Sequence, residues 1–125
     1  MIVRLSVVLA AALALGACAP PSIKAPTDRK VCYHMQRLKE GGARFNKVAE
    51  NVPDLEHCAG ALEVMRLQFL RLGGSRSELT GSYQGQFLFL KGPGIFTATS
   101  LTAPQYPVLV RVGNQLVAPA AIPTR

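Results

Sequence analysis

The residues able to do chemistry in this 125-residue chain are few: three cysteines, two histidines, two aspartates and five glutamates. Cys32 and His34 lie two apart and His57 and Cys58 are neighbours, so two thiols and two imidazoles make up the ligand set of many structural zinc sites. Their spacing is poor for that task. On a helix, residues two apart project about 200° from each other and adjacent ones about 100°, so neither pair converges on one ion, and no metal or cofactor is expected. Asp54 and His57, at i and i+3, have the geometry of a helix-start contact more than of half a catalytic triad. Ser75, Ser77 and Ser82 stand outside any G-x-S-x-G turn. Gly73-Gly74 and Gly92-Pro93-Gly94 belong to no phosphate-binding loop ending in Lys-Ser/Thr. A non-enzymatic protein is the expectation.

The composition narrows the classes further. The chain is 49% hydrophobic, 17% charged and 6% aromatic, with nine prolines and no tryptophan. It has the length of one small domain. The apolar excess sits at the N-terminus, where Arg4 precedes a run from Leu5 to Leu15. Eleven residues at 1.5 Å each make roughly 17 Å of helix, well short of the ~30 Å hydrocarbon core of a bilayer. A charged start and a short apolar run read as an export signal.

Leu15-Gly16-Ala17-Cys18 resembles the lipobox of bacterial lipoproteins. That resemblance implies cleavage before Cys18, a diacylglyceryl thioether on its sulfur and acylation of the new N-terminus. Ala19, where lipoproteins held at the inner membrane of enterobacteria usually carry Asp, implies the outer membrane, with the body facing the periplasm. The other readings are an ordinary signal cut within Ala17-Cys18-Ala19, and an uncleaved anchor. Behind the cysteine, residues 19–27 hold three prolines and no apolar period, a spacer able to stand the body off by roughly 25–30 Å.

With Cys18 assigned to lipid, Cys32 and Cys58 remain, and an even pair in an oxidising compartment is a disulfide candidate. It would close a loop of about 27 residues, for which the chain-entropy estimate is about 3.5 kcal/mol. Zinc and free or intermolecular thiols are the alternatives.

The elements that must position these groups follow from pattern. Residues 28–40 have a helix-forming composition, with Cys32, Met35 and Leu38 at helical spacing and Gly41-Gly42 as the stop. Phe45, Val48, Ala49 and Val52 favour a second short helix, with a strand over Ala43–Ala49 as the alternative. Residues 54–72 make the strongest helix, its apolar stripe wide enough for packing on more than one side. Strands follow: Tyr83, Phe87 and Phe89 on one face opposite Leu88 and Leu90, then Ile95 to Leu101, then Val108 to Val112 turning through Gly113-Asn114 into Gln115 to Ala118.

The expected fold is therefore α+β, two or three short helices packed on a small antiparallel sheet. The expected organisation is a signal over 1–17, a lipidated cysteine and tether over 18–27, a periplasmic domain over 28–118 and a loose tail over 119–125. The spacing of Cys32, Leu38, Gly42, Phe45 and Cys58 also resembles that of the extensin-like domain of alphaproteobacterial envelope proteins. The chain lacks that family's later cysteine and its Pro-rich second motif, and no functional residue is carried over.

Loss of Arg4 with the signal lowers the net charge from +7 to +6. An export signal separates this surplus from nucleic acid, and no Arg/Lys cluster interleaved with aromatics is present. Anionic lipid headgroups, lipopolysaccharide phosphates or an acidic partner remain as its counterpart. All seven acidic residues fall between Asp28 and Glu78, leaving the β part apolar and weakly basic. Edge strands of that kind are usually paired or covered. The expected role is an accessory or scaffold subunit of an envelope assembly, with a binding module for a small apolar or anionic envelope ligand as the alternative.

Overall fold

The structure, a computed structural model, describes residues 22–74 and 78–119. The lipobox with Cys18, and the tail beyond Pro119, lie outside the described residues. Seven strands, β1 (Cys32–Arg37), β2 (Ala43–Ala49), β3 (Leu79–Tyr83), β4 (Gln86–Leu90), β5 (Gly94–Ala98), β6 (Tyr106–Val112) and β7 (Gln115–Val117), form one antiparallel sheet. Its order is β2-β1-β3-β4-β5-β6-β7. One helix, α1 (Leu55–Arg71), enters between β2 and β3 and lies on one face. The architecture is thus α+β with a larger sheet and fewer helices than expected.

The two missing helices are strands, and the reason is a sheet covered on both faces. Cys32 packs under α1, while Met35 joins a second cluster on the opposite face with Ala25, Phe87, Phe89 and Ala98. Residues three apart on a strand point to opposite sides. Burial on both sides therefore imitates a helical period. In β2 likewise, Phe45 lies toward the second cluster and Val48 toward the first. The glycines expected to stop a helix instead close the β1–β2 turn, where the Leu38 N–H donates to Gly42 O at 2.9 Å.

The segment expected to act as a free spacer is, over its described part, laid against the sheet. Ala25 is buried and Ile23 half-buried on the face away from α1, and the Gly85 N–H donates to Pro26 O at 2.8 Å. Leu101 and Ala103, in the loop after β5, complete this cover, which is why β5 ends at Ala98 instead of running on to Leu101. Residues 79–90 fold as a hairpin through Gln84 (φ 46°) and Gly85 (φ 83°), two positive dihedrals in succession that fit a type I′ turn. Tyr83 is thereby placed with Leu88 in the cluster under the helix, opposite Phe87. Gly113-Asn114 forms the turn of the β6–β7 hairpin as expected.

Helix α1 begins where the sequence places it. The Asp54 carboxylate caps the first turn by accepting the His57 N–H at 2.8 Å. Leu55, Cys58, Ala59, Leu62 and Met65 face the sheet. Gly81 of β3 lies directly below: a Cβ there would collide with Leu62 Cδ1 and with the Tyr33 carbonyl oxygen, so the missing side chain is what lets the helix settle this close. Among the described residues, packing on more than one side is not observed: one layer meets the helix, and Val64, Leu67, Leu70 and Leu72 are exposed. Among the described residues, no helix is long and apolar enough to cross a membrane.

Candidate functional site

Two of the sequence-picked residues are joined. Cys32 of β1 and Cys58 of α1 form a disulfide with their Cα atoms 5.3 Å apart, both fully buried, tying the helix to the second strand of the sheet. This removes both thiols from any zinc set. The two histidines part company: His57 is exposed at the start of α1, and His34 lies on β1 with its ring centroid 6.3 Å from that of Phe69. Among the described residues, no three His, Cys, Asp or Glu side chains gather as metal ligands. Asp54 and His57 meet as expected, Oδ1 to Nδ1 at 2.6 Å. The hydrogen bonds from the His57 ring and backbone hold the Asp54 carboxyl below its usual range.

The sequence reading missed a buried charged cluster. Glu63, 8% exposed, receives Arg66 Nη2 at 2.6 Å and Nε at 3.1 Å on one side and Arg111 Nη1 at 3.0 Å and Nη2 at 3.4 Å on the other. Arg111 Nε also donates to Gly92 O at 3.1 Å. One carboxylate thus links α1, β6 and the β4–β5 turn. Burial pushes the Glu63 pKa up, but the bonds from Arg66 and Arg111 outweigh it and hold the carboxyl below its ordinary value. The signals were there: Glu63 and Arg66 are i and i+3 on a helix, and Arg111 interrupts an apolar strand in a region with few charges.

A cleft of about 510 Å³ opens between the C-terminal end of α1 and the outer two strands. His34 and Gln36 of β1 and Asn46 of β2 make its polar floor, and Phe69, Leu72 and Gly74 its apolar wall. These floor residues alternate with back-face ones along their strands, so the pleat places three hydrogen-bonding groups on one surface. Its volume lies within the roughly 300–1,000 Å³ range of small-ligand sites. What it offers chemically is an apolar wall with polar anchoring points below.

No family model, no curated protein and no solved structure matches the chain. The extensin-like resemblance stays a matter of five residues.

Proposed function

We propose that the chain is a lipid-anchored envelope lipoprotein, held through an acylated Cys18 at the outer membrane with its body in the periplasm. In this reading it acts as a non-enzymatic accessory or scaffold subunit of an envelope assembly. The observation that carries it is the partition of the cysteines. Cys32 and Cys58 are consumed by a disulfide, the bond of an oxidising compartment. Cys18 is left over, directly behind Leu15-Gly16-Ala17 and a short apolar run. Two or more acyl chains suffice for stable attachment where one is marginal.

The subunit role is supported by the solvent side of α1. Val64, Leu67 and Leu70 recur at intervals of three on that side and are 56%, 43% and 39% exposed. A run of apolar side chains on an otherwise wet face is the mark of a protein contact. The carboxylates of Glu50, Asp54 and Glu63 are each engaged by a basic neighbour, which supports a structural over a catalytic use. The counterpart is a protein with an apolar groove, and nucleic acid has no place in this reading.

The test is a photoreactive phenylalanine at Leu67 in the lipidated protein, with Asn114 as an exposed control. One envelope protein captured in stoichiometric amount at Leu67 and not at Asn114 is the expected result. Equal capture at both positions, or none, would contradict the subunit role. The cleft beside Phe69 favours a second reading, a binder of a small apolar or anionic envelope ligand. A monomer carrying co-purified lipid or glycan, released by Phe69→Ala, would support that one instead.

A further inference from the structure

The N-terminal segment leaves the described body at Ser22, which lines a groove with Arg37 and Gly41 of the β1–β2 turn. Strand register fixes what else lies at that end. Met35 pairs with Thr80, so β3 starts beside the finish of β1, and α1, which leads into β3, ends there too. Its last turn meets Gln36 across the cleft. Arg37, Lys39, Arg44 and Arg71 are all exposed at this end against Glu40 in the turn and Glu78 just before β3, an excess of two basic groups among the described residues. Leu72, next to Arg71, is 85% exposed. The far end of the sheet is different: it holds Asp28, Glu50, Asp54 and Glu56 against Arg29, Lys30 and Lys47, an excess of one acidic group.

We propose that the end of the molecule carrying the β1–β2 turn and the α1 C-terminus is a docking surface for an anionic phospholipid bilayer, with Leu72 reaching the acyl boundary and the basic side chains contacting headgroup phosphates. This rests on the reading of Cys18 as the lipid anchor. Four residue steps separate Cys18 from Ser22, and a fully extended chain covers at most about 3.6 Å per step, roughly 14 Å in all. An acylated Cys18 therefore keeps the Ser22 end within one or two Debye lengths of the headgroups, about 8–10 Å each in physiological salt. Charge settles which way the body then turns. The end with the basic excess is drawn down, and the end with the slight acidic excess is not.

The test is amide hydrogen exchange by mass spectrometry on the purified full-length mature protein, with vesicles of phosphatidylethanolamine and phosphatidylglycerol and with vesicles of phosphatidylcholine alone. Protection over residues 37–44 and 68–72 with the anionic vesicles only, and none over 47–54, is the expected result. Each Lys or Arg held at an anionic surface strengthens its contact by roughly fivefold, so Arg37→Gln/Lys39→Gln/Arg71→Gln should cut the protection that anionic vesicles give residues 68–72 by more than about tenfold. The matched change Arg29→Gln/Lys30→Gln/Lys47→Gln, at the far end, should leave it within about twofold. Equal protection of both ends, or equal losses from the two triple variants, would overturn the proposal. The mass of the peptide containing Cys18, read from the same samples, reports acylation separately. An unmodified Cys18 in a chain still protected at this end would sink the anchor and leave the docking surface standing.

Discussion

Glu63 holds two arginines from different elements through both carboxylate oxygens, and its loss should be felt more than that of any surface pair. Glu63→Gln removes the charged acceptor shared by Arg66 and Arg111 at a buried position and is expected to cost about 2 kcal/mol at neutral pH. The sign of the pH dependence follows from the depressed folded pKa. The carboxylate contributes stability above its ordinary value of 4.5 and loses it as pH falls through the lower folded value. Urea unfolding of wild type and variant should therefore differ most near pH 7 and converge in acid; a gap that widens on acidification would contradict the assignment. At the same scale, replacing both Cys32 and Cys58 by Ala should remove about 3.5 kcal/mol, read as a lower unfolding midpoint. The cysteine pair was legible because, with Cys18 set aside, an even count left Cys32 and Cys58. The pairing of Arg111 with Glu63 was not, because the two stand 48 residues apart and nothing local joins them.

At the level of elements, α1 was legible since its cap, charge bias and glycine stop are all local signals. Strand β1 was not, and β2 was legible only as the alternative over Ala43–Ala49. A periodicity argument assumes that one face is buried, and here Ile23, Ala25 and the loop bearing Leu101 bury the second face as well. The closeness of helix and sheet depends on Gly81. Gly81→Ala should cost about 2 kcal/mol by forcing Leu62 and the Tyr33 carbonyl away. In a Leu62→Ala background that cost should fall by about 0.5 kcal/mol or more, since the two positions share one contact. Strict additivity in chemical denaturation would show that Leu62 does not rest on Gly81.

For the whole molecule, the short reach from Cys18 to a segment already packed on the sheet replaces the long stalk that proline content suggested. Ile23 and Ala25 found apolar partners that only the folded sheet provides, so composition alone overstated the spacer. Under the proposed anchoring at Cys18, so short a reach makes lipidation decisive for where the protein resides and whom it meets. Metabolic labelling with palmitate, followed by membrane fractionation of wild type and Cys18→Ser, tests that most directly. The account predicts label on the wild-type chain in the outer-membrane fraction, and an unlabelled Cys18→Ser chain that no longer partitions there. Label absent from wild type, or a Cys18→Ser chain that fractionates as wild type does, would contradict it.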